Sequence, residues 1–266
     1  MSDDTGLMIG RVDRAARTIL EARRTGALLE SLTPNDQPRS LEEGYAIQRA
    51  VTAQWPDNVA GWKVGATTKE VHALLGISEP IYGPVFKKDV FQSPATISAQ
   101  DFQHRVLESE FAFRFGKDMP SRQTRYSRGE IIDAVDALFP SFEIIGPRFI
   151  SFKGHHVSEL VADFCANGGA VLGKMCSDWR AIDLTSQSVV LSIDGTERQR
   201  GTGALVLNSP LNVLDWFVNV FSQHGGNIDA GQFVMTGTVT GLHAPEPSQT
   251  AKADFGVLGT VEVVFI

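Results

Sequence analysis

The chain has little cysteine, no net positive charge and no long apolar run, and each shortage removes a class of function. Cys165 and Cys176 are the two cysteines, and they form neither a C-x-x-C pair nor a zinc framework. Cys165, within Phe164-Cys165-Ala166, reads as a reduced thiol in the core. A formal net charge of −7 argues against nucleic acid as partner, because a phosphate backbone is gripped by clustered lysine and arginine. It leaves a small anionic substrate open, since charge at the site decides that. No apolar run reaches the length of a membrane span, and Met1-Ser2-Asp3-Asp4 lacks the basic and apolar regions of a secretory signal, so no membrane contact and a cytoplasmic location are expected. There is no Walker sequence, no G-x-G-x-x-G after a strand and no H-E-x-x-H. Asp254-Phe255-Gly256 is no kinase triplet, because no H-R-D loop precedes it.

What is present centres on Val106-Leu107-Glu108-Ser109-Glu110-Phe111-Ala112-Phe113-Arg114-Phe115-Gly116. Strand side chains alternate between faces, so Glu108 and Glu110 share one face while Leu107, Phe111 and Phe113 take the other. Adjacent like charges are costly unless compensated, and a hard divalent cation that takes oxygen ligands would compensate them. Glu143, a lone acid in Pro140-Ser141-Phe142-Glu143-Ile144-Ile145-Gly146, is the natural third carboxylate. The alternative is an amphipathic strand with a wet acidic face.

The 266 residues, 42% hydrophobic and 21% charged, suffice for a full core. Residues 15–29 suit a surface-packed helix weakened by Gly26, and Ser40 with Glu43 forms a capping box for a second helix ending before Pro56. These helices make residues 1–58 an N-terminal helical appendage to a β-rich catalytic core over 59–266. Ala60 to Gly65 reads as a short strand in which Lys63 either snorkels outward or lies in a cleft. Residues 67–76 suit a helix stopped by glycine, and 129–139 another. The 148–158 loop, with Phe149, Phe152, Lys153, His155 and His156, has the make-up of a closing loop in which His156 serves as acid or base; two solvated histidines are the alternative. Asn167 is explained equally by a substrate contact and by turn geometry, and Thr238 by a substrate contact or a plain turn. Strands are expected at 188–193, before an Asp194-Gly195 hairpin, and at 204–207, 233–236 and 260–266. Between them 210–223 carries the apolar face of one helix, with Asp215 and Asn219 on its polar side. The fold class is α+β, a mixed, mostly β core of short strands with the N-terminal helices against it.

Arg39-Ser40-Leu41-Glu42-Glu43-Gly44-Tyr45-Ala46-Ile47-Gln48, Gly61-Trp62-Lys63-Val64-Gly65, the E-x-E strand, Phe142-Glu143-Ile144, Gly169-Ala170-Val171-Leu172-Gly173, Met235-Thr236-Gly237-Thr238 and Ala253-Asp254-Phe255-Gly256-Val257-Leu258-Gly259 follow one another in an order that resembles the 2-keto-4-pentenoate hydratase and 4-oxalocrotonate decarboxylase family, within the fumarylacetoacetate hydrolase superfamily. The resemblance implies a β-roll or sandwich like the fumarylacetoacetate hydrolase C-terminal domain, usually assembled as a homo-oligomer. It implies Mg²⁺ or Mn²⁺ held by Glu108, Glu110 and Glu143, Lys63 in the active site, and Asn167 near the substrate, a small 2-oxo or 2-hydroxydienoic acid.

Hydration of a 2-hydroxy-2,4-dienoate to a 4-hydroxy-2-oxo acid, in the catabolism of aromatic or cyclic compounds, is the activity so implied. Several hydratases of the family carry an aspartate where this chain has Ile81, a place where the decarboxylases are aliphatic. Decarboxylation of a 2-oxo-3-enedioate is therefore a second expectation. C–C hydrolysis of an acylpyruvate would require His155 or His156 with Glu159, and an inactive scaffold subunit would have no physical reason to keep three clustered acids.

Overall fold

The computed structural model describes residues 2–102, 104–150 and 154–266, with side chains from Met8 onward. The expected loop residues Phe152 and Lys153 lie outside this set. Helices α1 (Ser2–Thr25) and α2 (Leu41–Gln54) lead into strand β1 (Val59–Gly65), helix α3 (Lys69–Leu75) and strands β2 (Ile81–Phe86), β3 (Val90–Gln92), β4 (Ala95–Ile97) and β5 (Val106–Phe115). Helix α4 (Arg128–Ala134), strand β6 (Val135–Ile145), helix α5 (Val157–Ala162) and strand β7 (Asn167–Leu172) follow. The chain closes with β8 (Ser188–Ile193), β9 (Thr196–Thr202), α6 (Pro210–Gln223), β10 (Phe233–Met235), β11 (Thr250–Asp254) and β12 (Thr260–Phe265).

The strands form a seven-stranded sheet ordered β2-β1-β10-β5-β6-β7-β3 and a five-stranded sheet ordered β4-β12-β11-β8-β9. The larger one is curled, because β2, at its edge, also packs against β7. Gly83 permits that closure: a Cβ there would sit 2.2 Å from the carbonyl oxygen of Phe164. Register then assigns the inner face. Lys63 lies opposite Met235 and Gly83, Met235 opposite Ala112, Glu108 opposite Glu143, and Glu143 opposite Ala170. Val85, Ala112, Ala170, Leu172, Phe233 and Met235 form a dry plug on this face, and the charged residues sit along it. The outer face carries the main core, where β5 contributes Leu107, Phe111, Phe113 and Phe115 and Phe111 meets Phe255, just past the end of β11, edge-on at 5.3 Å. A mixed α+β body with rolled sheets is thus the architecture, as expected.

Several elements depart from expectation. Gly26 is not a weak point inside the first helix but its end, at φ +75°, so Leu28 and Leu29 lie beyond it and Leu29 bridges to Phe149. Ser40 accepts the Glu43 backbone N–H as a cap should, but the Glu43 carboxylate accepts from Arg39 N–H and Arg11, so the box is half formed. A complete capping box stands instead at Ser127 and Glu130. The helix expected over 129–139 stops at Ala134, because β5 is ten residues long and needs a partner of matching length, which β6 supplies from Val135. Residues 203–205 form a 3₁₀ turn and not a strand, and β8 pairs with Thr196–Thr202 across the Asp194-Gly195 turn. Asn219 is buried, where it holds the Tyr126 backbone N–H and carbonyl.

Candidate metal and active site

β5 and β6 run antiparallel with Glu108 directly across from Glu143, and Glu110 lies two residues along the same face. One carboxylate oxygen of each comes within 4.8 Å of the others. Glu110 and Glu143 are wholly buried and Glu108 half-buried. The three are not alike in support. Glu110 accepts the Gly237 backbone N–H at 2.7 Å, and Glu143 accepts from the Asn167 amide at 3.0 Å and from Lys63 Nζ at 3.1 Å. Curling of the sheet makes this last contact, since β1 and β6 are three strands apart in the hydrogen-bonded order.

Burial, and then the charge of Glu143, pushes the Glu108 carboxyl up to about 8 and Glu110 well above the ordinary carboxylate range. Burial works against the Lys63 ammonium, but Glu143 and the carboxylates behind it more than offset this and raise its pKa. Desolvation therefore does not decide the state of Lys63, and the residue stays protonated at neutral pH. One lysine cannot balance three carboxylates. Glu110 Oε1 and Glu143 Oε2 are buried with no hydrogen-bond partner among the described residues, a costly state for an acceptor. An oxygen-rich cluster with orphaned acceptors fits a Mg²⁺- or Mn²⁺-like cation, which binds few carboxylates and fills its other positions with water and substrate oxygen.

This electrostatics sets a pH dependence. Raised carboxyl pKa values mean that the folded state binds more protons than the unfolded one, so the metal-free protein is expected to lose stability as pH rises from about 4.5 towards 8. Urea midpoints measured in chelator across that window should fall with pH, and Glu108→Gln should flatten the fall. A midpoint that climbs with pH, identical in parent and variant, would refute the assignment.

The remaining expected residues are placed unevenly. Asn167, 4% exposed, opens β7 and faces Glu143. Thr238 follows the glycine that holds Glu110, and its hydroxyl donates to the Gly241 carbonyl at 3.1 Å within the turn. That turn is pinned to β5, where Thr240 Oγ1 donates to Ser109 Oγ and Val239 N–H to the Ser109 carbonyl. His156 is an exposed N-cap of α5, with Nδ1 2.7 Å from Ser158 Oγ. Its neighbour His155 is the one paired with Glu159, at 3.4 Å, with its ring tilted against Phe149.

Sequence reasoning missed two contributions. The Gly237 amide is invisible as a site group because backbone donors carry no residue signature. Cys165 is the buried, free thiol expected, but it also borders the site: burial pushes it up to about 12, Lys63 and Glu143 act on its charge, and its thiol donates to the Tyr82 carbonyl at 2.8 Å. Phe164, Cys165 and Ala166 all adopt left-handed backbone, with φ of 58°, 52° and 62°. For non-glycine residues that costs about 1–2 kcal/mol each. Nothing in Phe-Cys-Ala announces such a turn.

A rolled mixed sheet with three clustered carboxylates and a paired lysine on its inner face defines the class. The family described as Fumarylacetoacetate (FAA) hydrolase C-terminal matches residues 64–264, and the chain belongs to it. Over 256 residues it is 28% identical to a 2-keto-4-pentenoate hydratase of Paraburkholderia xenovorans, covering 95% of this chain and 94% of that one. A 4-oxalocrotonate decarboxylase of Pseudomonas putida is 29% identical over 238 residues, covering 87% of this chain and 88% of the relative. Among solved structures, 4-oxalocrotonate decarboxylase from Pseudomonas putida G7, complexed with magnesium and adipate, superposes with a TM-score of 0.88 over 97% of this chain and 98% of its own, at 24% identity. The same enzyme complexed with calcium and acetate gives 0.86 over the same shares, also at 24% identity.

Proposed function

We propose that this protein is a metal-dependent hydratase that converts a 2-hydroxy-2,4-dienoate into a 4-hydroxy-2-oxo acid during the breakdown of aromatic or cyclic compounds, acting in the cytoplasm as a homo-oligomer. The observation that carries the reading is the buried cluster of Glu108, Glu110 and Glu143 with two orphaned oxygens beside the charged Lys63. Mg²⁺ or Mn²⁺ held there would supply Lewis acidity to a substrate's carboxylate and C2 oxygen.

The chain's own residues do the rest. Asn167 and Lys63 fix Glu143 Oε1, which leaves Oε2 free for the cation, and the Gly237 amide does the same for Glu110. Lys63 also presents a preorganised donor where negative charge develops on the C2 oxygen as the dienol ketonises. Atoms balance as a net addition of water: the enol proton and one water proton end on C5 and C3, and the water oxygen ends on C4.

Ile81 favours a second reading, decarboxylation of a 2-oxo-3-enedioate. Its side chain, 6% exposed, shares the inner face with Lys63: Lys63 Nζ and Ile81 Cγ1 lie 3.3 and 3.8 Å from where a Gly65 Cβ would stand. An aliphatic group there activates no water for addition at C4, which hydration requires; loss of CO₂ needs no water, only one proton on the C2 oxygen as the C–C electron pair moves into the dienol.

Ultraviolet absorbance of freshly generated 2-hydroxypenta-2,4-dienoate, followed with enzyme and Mg²⁺, separates the two. Decay that a chelator stops is the expected result. No decay, together with chelator-sensitive loss of CO₂ from 2-oxo-3-hexenedioate, would replace hydratase by decarboxylase.

A further inference from the structure

We propose that Arg23, in the last turn of α1, is a positioning residue for the Glu143 side of the site, acting through the left-handed turn at 164–166 and Asn167. The inference rests on the reading of Glu108, Glu110 and Glu143 as a cation site. Arg23 lies 140 residues from the turn in sequence yet grips both of its ends. Its Nε donates to Asp163 Oδ1 at 2.6 Å and its Nη2 to the Asp163 carbonyl at 2.9 Å, while Nη1 and Nη2 reach the Asn167 carbonyl at 3.4 and 3.3 Å. Between those ends its guanidinium lies 4.1 Å over the Phe164 ring. Asp163 is fully buried, and its second carboxylate oxygen accepts the Arg148 backbone N–H at 2.6 Å.

Those contacts matter because the turn is a conformation that its residues do not choose for themselves. It delivers Asn167 at the first position of β7, and Asn167 turns its amide to Glu143 Oε1. It also seats the Cys165 thiol on the Tyr82 carbonyl at the back of the site. Loss of the clamp would leave the turn free to relax, moving the group that orients a carboxylate and not the carboxylate itself. Groups that orient metal ligands from behind typically govern about 10- to 100-fold in affinity. Lysine is a poor substitute, since one point charge cannot span a carboxylate and two carbonyls as a planar fork does.

The test compares parent, Arg23→Ala, Arg23→Lys and Ile19→Val by Mn²⁺ titration with calorimetry, and by the rate of thiol alkylation in a Cys176→Ser background. Ile19 is a fully buried core residue of the same helix and serves as the control for simple loss of packing. Arg23→Ala is expected to weaken Mn²⁺ binding about 10- to 100-fold and to speed Cys165 alkylation at least about tenfold, with Arg23→Lys recovering little. Ile19→Val should leave both unchanged. Millimolar guanidinium should restore part of the Mn²⁺ affinity to Arg23→Ala, since an open cavity of about 500 Å³ lined by Arg23, Arg148 and Gly168 gives it a route to the vacated position. Parent-like Mn²⁺ affinity in Arg23→Ala, or an equal loss in Ile19→Val, would overturn the proposal alone. A parent that binds no Mn²⁺ would overturn the cation site and this proposal with it.

Discussion

Glu143→Gln is expected to abolish the rise in melting temperature that Mg²⁺ gives the parent and to lower kcat/KM by at least about 10³-fold. The parent's rise follows from linkage: at a cation concentration 100 times Kd the folded state gains about 2.7 kcal/mol, which for a chain of this size moves the midpoint by roughly 5–10 °C. Glutamine keeps the shape and the hydrogen bonds to Asn167 and Lys63, but it removes the charge at Oε2, the oxygen left without a protein partner. Because the charge of Glu143 helps to hold the Glu108 and Glu110 carboxyls protonated, its removal lets one of them ionise to balance Lys63, and the metal-free variant should melt within a few degrees of the parent. Differential scanning fluorimetry with Mg²⁺ or chelator, beside the absorbance assay, provides both numbers. A full Mg²⁺ shift in the variant would show that the cation binds elsewhere.

Lys63→Met separates binding from chemistry. The methionine refills the space of the aliphatic stem, while the ammonium 3.1 Å from Glu143 is lost. Turnover is expected to fall about 10²- to 10³-fold, the usual consequence of removing one preorganised donor from developing charge. Mg²⁺ binding should survive or tighten, since a competing positive charge has left the cluster. Turnover within about threefold of the parent would remove Lys63 from the mechanism. The pattern of the two variants is therefore opposite: Glu143→Gln loses the cation and the reaction together, Lys63→Met loses the reaction alone.

These two residues also mark what was legible beforehand. The pairing of Glu108 with Glu110 on one face is a local property, because strand side chains alternate with a period of two. The Asp194-Gly195 hairpin and the helix over 210–223 were readable for the same reason: turn chemistry and apolar spacing act over a few residues. Where local signals compete, the boundaries moved. Val135 to Phe139 suited the end of a helix until the length of β5 required a partner, and Gly26, read as a weak point in a helix, turned out to be its stop.

By itself the sequence determined that two acids share a strand face, that a third lies in a later β-prone run, and, through the order of its motifs, which family the chain belongs to. Only the tertiary structure decided that Glu143 stands opposite Glu108, that Lys63 reaches across the roll to it, and that Phe-Cys-Ala turns left-handed under the grip of Arg23. The physical reason is distance along the chain. Periodicity and capping are settled by neighbours a few residues apart, whereas register, sheet closure and a strained turn are set by groups 140 residues away and more that meet only when the core closes.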